Sequence, residues 1–194
     1  MTHLSIIGTG NMGQAIASVA GKGGHTVQLL GQGDHDTAVT GDIVVLAVPY
    51  PAVSDVIDRR GESLAGKVVV DITNPLDFAT FDSLVVPADG SATAEIAAAL
   101  PQSRVLKAFN TTFAGTLTAG TVGSAEAVPT TVLIAGDDAD AKAALAGVIT
   151  SGGLKAVDAG SLKRARELEA VGFLQLTLAA SEKVSWTGGF GLLV

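Results

Sequence analysis

Close to the amino terminus, three glycines break a strand signal and open a helix signal. Leu4-Ser5-Ile6-Ile7 is a short run of β-prone residues, and Gly8-Thr9-Gly10-Asn11-Met12-Gly13 interrupts it. Ile16, Val19 and Ala20 then recur at helical spacing until Gly21 and Gly23-Gly24. Each glycine has a separate task. Gly8 permits a tight turn, Gly10 lets a pyrophosphate approach the backbone, and Gly13 lets helix and strand pack closely. The N–H groups that open the helix then hold the diphosphate. The glycine spacing alone is a weak signal; the strand before it and the helix after it give it weight. The competing reading is a tight βα turn that binds nothing.

The rest of the chain repeats this alternation. Thr26 to Leu30 reads as a strand, and Gly31-Gln32-Gly33-Asp34-His35-Asp36 as a loop. The next strand signal begins at Asp42, which leaves too little chain for a crossover helix, so that connection is abbreviated or replaced by a turn. Ile43 to Val48 is an uninterrupted apolar strand of the kind buried on both faces of a parallel sheet. Helix over 49–60, strand over 67–72, helix over 91–100 and strand over 105–109 follow, with residues 76–90 irregular. Strand over 130–135, helix over 137–149 capped by Asp137 or Asp138, and a last strand over 155–158 come next. Residues 161–184 form the longest helical stretch. The fold class expected is α/β: a Rossmann-type, doubly wound, mostly parallel sheet with an apolar C-terminal helix. Residues 1–194 are expected to form a single dinucleotide-binding domain with 161–194 as a helical extension. Leu168, Val171, Phe173, Leu174, Leu176, Leu178 and Ala179 spread around that helix, which points to a homodimer interface.

Composition narrows the function classes. With 12 basic against 19 acidic residues, a net charge of −7 gives nothing to attract a nucleic-acid backbone. There is no cysteine, which excludes disulfides, thiolate catalysis and Cys-ligated metals. No apolar run reaches the length of a membrane span, and no basic segment leads into an apolar one near the start. The expectation is an unprocessed cytoplasmic protein with a small-molecule redox partner, no nucleic acid and no membrane.

Two more strand ends should open on the same crevice as the glycine turn, Ala47-Val48-Pro49-Tyr50 and Ile72-Thr73-Asn74-Pro75. Either can wall a nicotinamide, or simply stop a strand at a proline. Past the strand at 105–109, the polar Asn110, Thr111 and Thr112 sit among apolar neighbours as far as Ala114. A hydride-transfer pocket needs few, well-placed hydrogen bonds, and no strong acid or base when the second reactant is itself a redox ring. His3, His25 and His35 have no metal-ligand spacing, so no metal site is expected. Lys163, Arg164 and Arg166 with Glu167 and Glu169 read as a solvated, ion-paired helix face. Which dinucleotide binds stays open. An acidic residue normally ends the second strand of an NAD site and arginine or lysine marks an NADP site, whereas Gly31, Gln32 and Gly33 stand here, with His35 the only cation of that stretch.

The pattern resembles the small NADP oxidoreductases that depend on coenzyme F420, a deazaflavin, and the related dinucleotide-binding domain of the STEAP-type metalloreductases. The resemblance rests on Gly8-Thr9-Gly10-Asn11-Met12-Gly13, Ala47-Val48-Pro49-Tyr50, Thr73-Asn74-Pro75-Leu76, Val105 to Thr111 with its Lys-Ala-Phe-Asn-Thr core, and Asp158-Ala159-Gly160-Ser161-Leu162. It implies NADP on the glycine turn, with a flavin or coenzyme F420 as second cofactor and hydride passing between the two rings. It places Val48, Pro49 and Tyr50 near the nicotinamide and Asn110, Thr112 and Ala114 beside the acceptor. One departure is plain: deazaflavin-dependent members carry a Ser-Arg-Arg-like run for the 2′-phosphate where this chain has Gly31-Gln32-Gly33. The alternative functions are a non-catalytic dinucleotide-binding or redox-sensing module, and a carbonyl or imine reductase for which only Tyr50 or Lys163 could donate the proton.

Overall fold

The computed structural model describes residues 1–123 and 127–193. Among the described residues, nine strands and six helices follow in the order β1 (His3–Ile7), α1 (Asn11–Lys22), β2 (Thr26–Leu30), β3 (Ile43–Leu46), α2 (Val53–Leu64), β4 (Val68–Asp71), α3 (Ala92–Ala99), β5 (Arg104–Lys107), α4 (Ala114–Ala119), β6 (Thr121–Val122), β7 (Val128–Pro129), β8 (Thr131–Gly136), α5 (Ala139–Ser151), β9 (Lys155–Gly160) and α6 (Ala165–Ala180). Short 3-10 turns precede α2, at Tyr50–Ala52, and α6, at Leu162–Arg164.

Seven strands form one sheet in the order β2-β1-β3-β4-β5-β8-β9. The first five run parallel; β8 pairs antiparallel with the end of β5, and β9 runs parallel to β8. This is the Rossmann-like, mostly parallel α/β fold that the alternation implies. Period-two alternation divides the core between its faces. Val45, Val70 and Leu106 pack against α1, α4 and α5, while Val44, Val69 and Val105 pack with α2 and α3 residues such as Val53, Leu64 and Ile96.

Chain order reverses between β1 and β3, since β2 lies on one side of β1 and β3 on the other. Ligands of such sheets bind at that reversal, beyond the carboxyl ends of the strands. The connection from β2 to β3 is a turn rather than a helix. Asp34 and Thr37 close it by backbone bonds to Gly31 and Asp34, and buried Arg60 of α2 holds the carbonyls of Thr37, at 2.7 Å, and of Asp34.

Three sequence expectations change. The longest helix occupies Ala165–Ala180 rather than 161–184, so the extension over 161–194 is helical only in its middle. Its last stretch folds back on the molecule, with the Trp186 ring tilted against Phe113 at 5.1 Å between centroids and Phe190 N–H donating to Gln175 Oε1 at 3.1 Å. The helix α4 and the hairpin β6–β7 carry too few residues to show a period. Finally, Glu169 is not part of a solvated charged face; its carboxylate is buried against the strand ends.

Candidate functional site

Sterics explain the glycine turn. Gly8 has φ +120, and a Cβ there would lie 2.2 Å from Ala47 O, so only glycine lets the end of β1 touch the chain leaving β3. At Gly13 a Cβ would lie 2.1 Å from Gly8 O, which makes it the contact between helix and strand. Gly10 differs: a Cβ there would meet nothing within 4 Å. Gly10 is also the N-cap of α1 and brings no side chain to its open end. An uncapped helix start beside an open glycine is what a phosphate group requires, so the residues fit a dinucleotide.

The reversal point holds a cavity of about 440 Å³. Gly8, Thr9 and Gly10 line one wall, Gly31, Gln32 and His35 a second, and Val48 and Pro49 a third. The cavity thus unites residues of the glycine turn, the β2 end and the β3 end that are separated in sequence. Asn11, Met12, Gly13 and Gly33 border the same segments without lining it. Asp34 is engaged in its own turn, where Oδ2 accepts from Gly31 N–H at 2.7 Å. Absent from the sequence reading is the fourth wall, contributed by α2: Asp55, Val56, Arg59 and Arg60. Arginines do stand by the Gly31 loop, but they arrive from across the crevice.

Past β4 and β5 the character changes. Lys107 is fully buried, its Nζ bonded to Asp71 Oδ2 at 2.8 Å, Glu169 Oε1 at 3.0 Å and Thr73 O at 2.5 Å. Thr93 Oγ1 donates to Asp71, and the N–H groups of Ala92 and Thr93 donate to Glu169. This cluster ties the ends of β4 and β5 to α3 and α6. Just beyond it, Asn110 Nδ2 donates to Asn74 Oδ1 at 2.9 Å and to Leu168 O at 2.8 Å, and Asn74 Nδ2 returns a bond to Asn110 O. Gly172 lets α6 close on this pair, since a Cβ there would lie 2.2 Å from Asn74 Oδ1. Buried Phe109 takes φ 63, a strained left-handed conformation that turns Asn110 toward α6. Thr73 Oγ1 and Asn110 Oδ1 are buried with no hydrogen-bond partner among the described residues. Unpaired buried polar atoms are costly and rare, and both lie at this one end.

The remaining candidates disperse. Pro75 is buried beside Asn74. Thr112 donates to Phe109 O at 2.7 Å and borders, with Gln175, Gly189 and Phe190, a space of about 10 Å³ under the C-terminal segment. Ala114 starts α4 and packs toward the core beneath α1. Tyr50 turns away from the crevice and donates its hydroxyl to Glu95 on α3. Burial first, and the Glu95 carboxylate second, push its phenol well above its ordinary value of 10.0, which makes it a poor proton donor. Lys163 borders a different cavity, with Asp89, Asp137 and Ser161. His25 is structural, Nδ1 accepting from Thr2 N–H at 3.0 Å and Nε2 meeting Ser151 Oγ at 2.9 Å. Among the described residues there is no group of three potential metal ligands, and no helix is long and apolar enough to cross a membrane.

Comparison with known proteins gives the family and the fold. Residues 28–75, from β2 to the Asn74-Pro75 turn, match the family model described as NADP oxidoreductase coenzyme F420-dependent. An F420-dependent NADP reductase of Methanocaldococcus jannaschii is 31% identical over 169 residues, 85% of this chain and 74% of the relative. The metalloreductase STEAP3 of Rattus norvegicus is 34% identical over 133 residues, 69% of this chain and 25% of that protein. A solved candidate F420-dependent NADP-reductase from Arthrobacter sp. FB24 has the same fold, with a TM-score of 0.85 at 23% identity and 100% of both chains covered.

Proposed function

Since this chain belongs to the family of coenzyme F420-dependent NADP reductases and is an NADP-dependent oxidoreductase, we propose that it transfers hydride between NADP(H) in the β1/β3 crevice and a deazaflavin- or flavin-type ring at the Asn74–Asn110 end. The observation that carries this reading is the cavity of about 440 Å³ at the reversal of strand order, walled by the glycine turn and open at Gly10. Gly8, Thr9, Gly10, Asn11, Met12 and Gly13 hold the diphosphate through backbone N–H groups and the helix start. Gly31, Gln32 and Gly33 face the adenosine, and Val48 and Pro49 wall the route toward the nicotinamide. A dinucleotide bound there would supply or accept the hydride, with the accompanying proton taken from solvent when the acceptor ring is reduced and returned to it in the reverse direction.

The protein's contribution is position. The Asn74–Asn110 clasp, with Pro75 behind it and Thr112 and Ala114 on the next turn, fixes the floor on which two rings would meet. Holding two reactants in register is worth about 7–11 kcal/mol at most, and no proton donor is needed for it. Tyr50, turned away from the crevice with its raised pKa and its hydroxyl on Glu95, is not the acid. The extension over 161–194 would meet a second copy through exposed Val171, Leu174 and Trp186, giving a homodimer; light scattering on the purified protein tests that.

The decisive experiment mixes purified protein with NADPH and, in separate cuvettes, coenzyme F420 and free flavins, under nitrogen. Loss of the reduced-nicotinamide absorbance together with reduction of the acceptor is expected. Tight NADPH binding with no turnover on any acceptor would instead favour a redox-sensing module. One observation speaks for that second reading: the space beside Thr112 is only about 10 Å³.

A further inference from the structure

The structure leaves one question about the crevice unanswered: what recognises the adenosine end, where the loop after β2 has no arginine. Asp34 does not line the cavity, and its Oδ2 is bound to Gly31 N–H at 2.7 Å within its own turn. Two guanidinium groups line the same cavity as Gly31 and Gln32, both from α2. They are not equivalent. Arg60 is buried, and both its terminal nitrogens are spent on the carbonyls of Thr37 and Asp34. Those bonds fasten this turn of α2 against the loop. Arg59, the adjacent residue, has a side chain 52% exposed, and only its Nε is engaged, to Asp55 Oδ1 at 2.9 Å. Its two terminal NH2 groups make no hydrogen bond among the described residues.

We propose that Arg59, reaching across the crevice from α2, is the residue that selects NADP over NAD by gripping the adenosine 2′-phosphate, with Arg60 setting its position and Asp55 holding the guanidinium until a phosphate arrives. This rests on the reading that a dinucleotide occupies the β1/β3 crevice. An exposed i,i+4 pair such as Arg59–Asp55 is weak and readily exchanged. Arginine meets phosphate through two parallel charge-assisted bonds, which its free terminal nitrogens are able to supply. Arg60 is a positioning residue: it fixes the loop and the register of α2, and Arg59 makes the contact. The phosphate site has thereby moved from the strand end to the facing helix, and the shortened, helix-free connection after β2 leaves room for that approach.

The test is calorimetric titration of NADPH and NADH, at one salt concentration, into the wild type and the variants Arg59→Ala, Asp55→Asn and His35→Ala. The wild type is expected to prefer NADPH. Arg59→Ala should lower NADPH affinity by about 10- to 100-fold, the worth of a charged hydrogen-bonded contact, and leave NADH within about twofold. Asp55→Asn should tighten NADPH alone, and His35→Ala should retain the preference. Equal loss of both dinucleotides in Arg59→Ala, or a preference that collapses in His35→Ala instead, overturns the assignment while leaving the crevice as the dinucleotide site. A wild type that binds NADH as well as NADPH also overturns it and leaves the oxidoreductase reading standing. A wild type that binds neither removes both.

Discussion

The two ends of the crevice are built on opposite principles. At the adenosine end the charged pair free to meet a ligand is exposed and loosely held: Arg59 and Asp55 share one surface ion pair, beside a loop that buried Arg60 and the side chains of Gln28, Ser5 and Lys67 tie down. At the Asn74–Asn110 end most groups are buried and cross-tied, from Lys107 between two carboxylates to the reciprocal amide clasp and the strained Phe109. Choosing between cofactors needs a contact that forms only when the ligand is present, so the selecting group stays in water until then. Orienting a ring needs a floor that does not move, so its ordering and desolvation costs are met during folding. Binding and stability should therefore respond separately to substitutions at the two ends.

The largest effect should come from the buried cluster. Lys107→Met leaves Asp71 and Glu169 facing each other without their cation, and losing one partner of a buried pair costs about 3–5 kcal/mol. Urea unfolding should show that loss, against a change within about 0.5 kcal/mol for Arg59→Ala on the exposed helix; equal effects would erase the distinction between the ends. Gly172→Ala comes next. Its methyl would press on Asn74 and Asn110, whose nearest atoms lie at 2.2 and 2.9 Å, so overpacking of about 1–3 kcal/mol is expected. Because α6 would move off the clasp, turnover should fall more than NADPH affinity in steady-state kinetics. The glycine turn repeats the contrast on a smaller scale. Gly13→Ala should destabilise, whereas Gly10→Ala should unfold within about 0.5 kcal/mol of wild type yet bind NADPH at least about tenfold more weakly, since its methyl enters only the ligand's space.

How far the sequence alone reaches follows the same division. The glycine turn, the strands over β1 to β5 and the four strand ends are local patterns, and each stands where periodicity and turn residues place it. That the connection after β2 is too short for a full crossover helix is legible from chain length, which leaves open whether it is abbreviated or, as found, a turn. Arg59 and Arg60 are not legible, since they lie on another element and the sheet order alone brings them to Gly31. Glu169 is hidden for a related reason: amid Arg164, Arg166 and Glu167 it carries the pattern of a wet helix face, and Lys107 with the N–H groups of Ala92 and Thr93, all far away in sequence, make its burial tolerable. The antiparallel β8 leaves no mark, because a strand buried on both faces reads the same in either direction. The clasp from Asn110 to Asn74 was half visible: both residues were singled out, but Gly172, which admits α6 to them, stands in the middle of a helix where glycine ordinarily has no purpose.

The smallest effect belongs to Tyr50, which turns away from the crevice toward α3 but by side-chain chemistry alone could be an acid. Its hydroxyl is committed to Glu95, and its pKa lies above the ordinary 10.0 because burial and then that carboxylate disfavour the phenolate. A proton donor's removal costs about 10²–10⁴-fold in rate, so turnover of Tyr50→Phe within about twofold of wild type would exclude that role, and a hundredfold drop would restore it. The stability signature has a definite sign. The unfolded phenol ionises near 10 and the folded one only at higher pH, so between those values the unfolded chain has released a proton that the native protein retains. The Tyr50–Glu95 contribution, about 1 kcal/mol or less, is therefore complete below pH 10 and fades as pH rises beyond it. Denaturation midpoints of wild type and Tyr50→Phe should differ at neutral pH and converge above pH 10. A gap that widened there would mean the hydroxyl is ionised in the native protein, and would overturn its reading as a neutral donor to Glu95.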